Sequence, residues 1–165
     1  MVLDVKRIIN TPGGRIGFDF SADYSDVDFG GVCPAVAPVL VVGEVCNIAG
    51  MLQLRMKLDT MLRAVCDRCG DVFDEEFSLE VSYLLAEELE NDDNDDILLL
   101  EEGTLNLEEL SREVFILNMP SKMLCSEDCK GLCSGCGANL NHESCRCKKE
   151  IDPRMAKLAS LLKNE

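Results

Sequence analysis

Tryptophan is absent from the 165-residue chain, tyrosine occurs twice and histidine once. With only six Phe besides, any core must rest mainly on Val, Leu, Ile and Met. The single histidine, His142, leaves no Ser/His/Asp set to assemble, and Gly13-Gly14 lacks the rest of a phosphate-binding loop. A catalytic reading therefore has little to stand on, and no small-molecule substrate is expected. Long apolar runs are missing too. The longest, near Val39 to Val42, falls far short of the ~20 residues that span a bilayer, so no membrane partner is expected. The opening Met1-Val-Leu-Asp-Val-Lys-Arg-Ile-Ile mixes acid and base into a short apolar stretch and does not read as a secretory signal. The expected compartment is the reducing cytosol.

Basic residues are also scarce. The formal net charge is −15, and it is unevenly spread: residues 1–118 hold 25 Asp+Glu against 8 Lys+Arg, whereas residues 119–165 hold 6 against 8. The acidic part repels phosphate and cannot wrap a nucleic acid. The near-neutral part can, through Lys130, Arg146, Lys148, Lys149, Arg154 and Lys157. A blander role competes for the first four of these bases, namely balancing the negative charge of metal–thiolate centres nearby.

What the chain does have is cysteine, ten in all. Disulfides are rare in a reducing compartment, so metal binding is the better reading. Cys66-x-x-Cys69 is followed by Gly70, and Cys133-x-x-Cys136 by Gly137; Cys125, Cys129, Cys145 and Cys147 complete a set of eight. Eight thiolates are what two tetrahedral Cys₄ zinc sites require. In each hook the chain turns sharply, glycine supplies the positive φ of the turn, and backbone N–H groups can donate to sulfur. The favoured partition gives Cys133, Cys136, Cys145 and Cys147 one Zn²⁺, and Cys66, Cys69, Cys125 and Cys129 another. Alternatively the two hooks share one metal and the other four cysteines hold the second. An iron–sulfur cluster or a redox hook suits the pattern less well. With four thiolates and no open position, such a zinc is structural. His142 could replace one cysteine but reads more simply as exposed; Cys33 and Cys46 read as ordinary thiols.

The expected fold is α+β, mainly an antiparallel β-sheet with one or two helices and a cysteine-rich, zinc-bound subdomain. Val2 to Ile9 and Arg15 to Phe20 read as extended, and Ala49-Gly50 as a turn. From Met51 the alternation of Leu52, Leu54, Met56, Leu58 and Leu62 with polar residues predicts a half-buried strand. Leu54, Leu58, Met61, Leu62 and Val65 would also stripe a helix, but the period of two persists longer. Phe77, Leu79, Val81, Tyr83 and Leu85 repeat it, which places the first hook in the turn between two strands. Glu87 to Asp96 reads as a solvated acidic loop. Its Asp92-x-Asn94-x-Asp96 start fails as a calcium loop, with Ile97 and Gly103 where Gly and Glu are needed. Ile97 to Leu100 reads as a short strand. Asn106 with Glu109 predicts a capped helix carrying Leu107, Leu110, Val114 and Leu117 and ending before Pro120. A second helix is expected from Pro153, with Asp152 as cap and Met155, Leu158, Ala159 and Leu162 on its apolar side. The domain reading is an acidic sheet domain over 1–118, a zinc segment over 119–150 and a C-terminal helix over 151–165.

Cys66-Asp-Arg-Cys-Gly, Met119-Pro120, the Cys125-to-Asn141 block, Cys145-Arg-Cys147 and Ile151-Asp-Pro-Arg154, in that order, resemble the bacterial YceD family. The resemblance covers most of the chain from about Val39. Some members of that family keep the first hook with a reduced second cluster, which favours the first partition. The resemblance implies a role in accumulation of large-subunit ribosomal RNA, hence ribosome biogenesis, with ribosomal proteins, assembly factors or ribosomal RNA as partners. A zinc-stabilised protein–protein adaptor that touches no RNA is the alternative.

Overall fold

The structure is a computed structural model and describes residues 1–87 and 97–147. The acidic loop over 88–96, the helix expected from Pro153 and the bases Lys148, Lys149, Arg154 and Lys157 lie outside the described residues. Chain contacts divide the molecule into two units. One comprises Met1–Val65 and Val72–Met123; the other joins Cys66–Asp71 to the chain from Leu124 onward.

The first unit holds a five-stranded sheet in the order β2 (Arg15–Ala22), β3 (Val39–Ile48), β4 (Met51–Val65), β5 (Val72–Ala86), β6 (Ile97–Leu99). A two-stranded sheet pairs β1 (Val2–Asp4) with β7 (Thr104–Asn106), and the described residues of the unit also form two helices, α1 (Lys6–Ile9) and α2 (Leu107–Leu117). Among the described residues no helix is long and apolar enough to cross a membrane.

The period of two decides β4. Leu52, Leu54, Met56, Leu58 and Leu62 are buried, whereas Val65, which the competing helical stripe would have hidden, is 46% exposed. β3 and β4 meet at Ile48↔Met51 across Ala49-Gly50, whose φ values of 53° and 95° are what a two-residue hairpin turn needs. β4 and β5 pair from Leu52↔Leu85 to Val65↔Val72, so the first hook does sit in their connection. A glycine midway along β3 is required by packing. A Cβ on Gly43 would run into the Arg55 carbonyl oxygen and lie 2.5 Å from Phe18 Cζ. Gly43→Ala is therefore expected to cost about 1–3 kcal/mol by overpacking, read as a lower urea midpoint with an unchanged slope.

The sheet is mainly antiparallel, as expected, with a short parallel pair, β6 against β5 (Leu84↔Ile97). Two expectations are corrected. Val2 to Ile9 is not one extended run. The Lys6 N–H donates to Asp4 Oδ1 at 2.9 Å, and the Val5 carbonyl accepts from Ile8 and Ile9, so the chain leaves β1 and turns into α1. On α2, capped as expected by Asn106, the buried face is Leu107, Leu110, Ser111, Val114 and Phe115, and Leu117 is 82% exposed. Phe115 takes the central place. It is fully buried, with ring centroids of Tyr24 at 5.3 Å, Phe77 at 5.5 Å and Phe29 at 6.1 Å. Beside it the Tyr24 hydroxyl and Ser111 Oγ are 2.6 Å apart, which satisfies both in the core.

Candidate metal centres

The second unit is built from two hooks with the same hydrogen-bond pattern. In the first, the Cys66 N–H donates to Asp71 O at 2.8 Å and the Gly70 N–H to Cys66 O at 2.9 Å. In the second, the Cys133 N–H donates to Ala138 O at 2.8 Å and the Gly137 N–H to Cys133 O at 2.8 Å. Gly70 and Gly137 take φ of 76° and 73°, the left-handed conformation that closes each hook. The hooks are joined through the backbone, where the Leu132 N–H donates to Arg68 O at 3.0 Å. Gly131 is needed at that crossing, since a Cβ there would sit 2.9 Å from Arg68 O.

The sulfurs gather into two groups, Cys66, Cys69, Cys125 and Cys129, and Cys133, Cys136, Cys145 and Cys147, and within each group all four lie within 4.8 Å of one another. This is the first of the two partitions above; the hooks do not share a site. Measured pairs are Cys66–Cys129 3.8 Å, Cys69–Cys125 3.6 Å, Cys136–Cys145 3.6 Å and Cys133–Cys145 3.1 Å. A tetrahedron with 2.3 Å metal–sulfur bonds has edges of about 3.8 Å, whereas a disulfide needs ~2.05 Å. All ten cysteines are free. Either group could hold a metal ion.

Electrostatics point the same way. The Cys66 thiol is lowered to about 6, first by the Cys125 backbone N–H and then by those of Cys69 and Arg68. Cys133 is likewise lowered to about 6, by the Cys145 thiol and then the Gly135 and Cys136 amides. Cys147 is pushed up to about 12, chiefly by Cys145 and Cys136. Donors thus favour some thiolates, while crowding forbids four together unless a cation joins them. A divalent ion removes that conflict, so the donor set fits one.

The two groups differ in surroundings. Cys66, Cys69 and Cys129 are buried, whereas Cys136 and Cys147 are exposed. Around the first group stand supports that the cysteine spacing did not reveal. Asn141 Nδ2 donates to Cys129 Sγ at 3.2 Å, and this bond is the main influence lowering the Cys129 thiol. Arg68 Nη1 donates to the carbonyls of Glu127 and Cys129, both at 3.1 Å. Asp71 Oδ2 receives Asn139 Nδ2 at 2.9 Å and Cys69 Sγ at 3.3 Å, and lies 3.0 Å from His142 Nε2. The Asp71 carboxyl is held below its usual range, by His142 first and then Asn139. His142 thus belongs to neither sulfur group. Their only sequence signal was closeness to the hooks, too weak to separate them from other polar residues. Lys130 and Arg146 are exposed on this unit.

Residues 54–162, which include all eight clustered cysteines, match the family model described as "Large ribosomal RNA subunit accumulation protein YceD". The chain belongs to the YceD family. The YceD match extends to relatives of known sequence. An uncharacterized protein of Mycobacterium tuberculosis is 34% identical over 73 residues, covering 44% of this chain and 35% of its own length. One from Mycobacterium leprae is 36% identical over 61 residues, 37% of this chain and 28% of the relative. The Arabidopsis thaliana protein named "Large ribosomal RNA subunit accumulation protein YCED homolog 1, chloroplastic" is 29% identical over 147 residues, 71% of this chain and 46% of the relative. The chain therefore spans less than half the length of these relatives. No solved structure matches it significantly.

Proposed function

We propose that this YceD-family chain is a non-enzymatic, zinc-holding factor that acts in the cytoplasm to support accumulation of large-subunit ribosomal RNA. The observation that carries the proposal is the presence of two separate four-sulfur clusters inside the segment matched by the family model. Four thiolates in a tetrahedron suit Zn²⁺ and leave no open position for water or substrate. When bound, each ion supplies a cross-link and cancels part of the thiolate charge. The protein's own groups do the rest: hook amides orient the sulfurs, Asn141 and Arg68 fix the Cys125–Cys129 arm, and Asp71 ties the first hook to Asn139 and His142.

In this reading the acidic first unit meets a basic ribosomal protein or assembly factor. The cysteine-rich unit meets ribosomal RNA through Lys130 and Arg146, together with Lys148, Lys149, Arg154 and Lys157 from outside the described residues. In-cell crosslinking should recover large-subunit ribosomal proteins and ribosomal RNA precursors, and recovery of neither removes the proposal. RNA affinity should fall steeply with salt and drop further when the bases over 146–157 are neutralised. The net charge of −15 favours a second reading, an adaptor that binds protein alone; salt-independent partner capture without RNA would select it.

Metal retention should depend on pH in one direction. Protons compete with metal for thiolates, and the two thiols held lowest, Cys66 and Cys133, are each lowered to about 6. Stability contributed by a depressed group is fully present above its unfolded value, here 9.0, and is lost as pH falls from there through the folded value of about 6. Because a bound ion holds its thiolates against protons, metal is expected to stay bound at pH 7 and to be lost only on acidification, at a pH below that at which the metal-free thiols take up protons. Native mass spectrometry from pH 7 downward checks this, and loss of metal already above about 6 would refute it.

A further inference from the structure

β5 is paired with β4 from end to end, but on its other side only Leu84, Leu85 and Ala86 have a partner strand, the three-residue β6. Among the described residues no strand runs beside residues 72–82, which leaves an open edge about 35 Å long at ~3.3 Å per residue. Such an edge presents alternating unpaired N–H and C=O groups and can template another strand. Phe77, Leu79 and Val81 are only half-buried at this margin, although they pack on the core, so a strand laid alongside would cover them.

The charge of the edge selects what can lie there. Asp74, Glu75, Glu76 and Glu80 are all exposed. Of the cations opposite this edge on β4, Arg63 pairs with Asp74 at 2.7 Å and Lys57 with Asp59 at 2.9 Å. Arg55, opposite Ser82, donates to Gln53 Oε1 at 3.1 Å, which leaves the acids of the edge in excess. Glu75 stands opposite buried Leu62, on the core-facing side, yet is exposed. An acid in that position deters pairing with an identical edge. A second copy would set acid against acid, and RNA phosphate would be repelled. The opposite edge strand, β2, carries Arg15 and Asp19 on its outer face and so selects neither sign.

We propose that residues 72–82 are the docking edge for an extended, Lys/Arg-rich segment of a partner protein, which adds to the sheet as a further strand. This rests on the reading that the acidic unit meets a basic protein, and it names the surface and the mode. Backbone hydrogen bonds would give affinity, and alternate side chains would meet the half-buried apolar row with Glu75 on one face and Asp74, Glu76 and Glu80 on the other.

The probe is a synthetic ten-residue peptide of alternating Lys and Val, titrated into the full-length, metal-loaded protein and followed by amide NMR and hydrogen exchange. Two further versions carry backbone N-methyl groups on every second residue, one in each register. The parent peptide is expected to slow exchange at residues 72–82. One N-methylated register should bind about as well, and the other at least ~10-fold more weakly, because only one set of peptide N–H groups faces the sheet. Glu75→Lys with Glu76→Lys should also weaken the parent peptide ~10-fold at low salt, with an unchanged melting temperature. Protection at another surface, no binding, or equal binding of both N-methylated registers would overturn the proposal. If the reversed-charge protein still captured basic ribosomal proteins from cells, the ribosomal reading would stand and this edge alone would fall.

Discussion

Replacing Cys129 with serine is expected to halve the metal content of the purified protein, from two ions per chain to one, and to unfold much of the second unit. Cys129 is buried 3.8 Å from Cys66 across 63 positions of sequence, and it is braced by Asn141 and Arg68. In the zinc-holding reading proposed above, a structural Zn²⁺ is worth ~10–16 kcal/mol at neutral pH, so the loss of one ligand in four would cost several kcal/mol. The cluster also closes a long loop, because Cys69 and Cys125 are 56 positions apart. By the chain-entropy relation used for cross-links, releasing such a loop forfeits about 4 kcal/mol. Cys145→Ser should remove one ion as well but cost less stability, since its group is more exposed and Cys133 is only 12 positions away. Native mass spectrometry counts the ions, and thermal melting with and without chelator ranks the two variants. Equal metal content in wild type and both variants would show that these sulfurs hold no ion.

The second large effect lies in the first unit. Phe115→Ala is expected to cost ~3–5 kcal/mol, because it empties the space among Tyr24, Phe29 and Phe77 under a fully buried ring. Leu117→Ala, two residues along the same helix, should change stability by under ~0.5 kcal/mol, because that side chain is 82% exposed. Both variants should still carry two metal ions. If Leu117→Ala proved the costlier of the two in urea unfolding, the assigned face of α2 would be wrong.

That helix shows where sequence was a good guide and where it was not. Its start was legible, because Asn106 and Glu109 carry a local capping signal. Its buried face was not, because Leu107, Leu110, Val114 and Leu117 satisfy helical spacing as well as the true set, and only the ring partners single out Phe115. β5 could be read from its long alternation, and β4 likewise, though there the alternation had to outweigh a competing helical stripe. The Val2 to Ile9 stretch could not, since its break depends on one Asp4 side chain accepting a single backbone N–H. β6 shows the same limit, because three residues of apolar sequence carry no signal for parallel or antiparallel pairing. At the candidate metal centres the cysteine types and hooks were plain, whereas the partition was only favoured, by giving the second hook its sequence neighbours Cys145 and Cys147 and leaving Cys66 and Cys69 to distant Cys125 and Cys129. Asp71, Asn139, Asn141 and Arg68 escaped, because their roles exist only once distant segments meet.

The interleaving of the hook at Cys66–Asp71 with the later Cys125–Cys129 arm also sets a timetable for synthesis. A nascent chain exposes the first two thiols well before their partners have been translated. At ~5–20 residues per second, the 56 positions between Cys69 and Cys125 represent roughly 3–11 s. In the metal-holding reading proposed above, a half-built coordination shell stands open to oxidants and stray cations throughout that interval, and maturation would depend on a supply of the correct ion once Cys125 and Cys129 have been made.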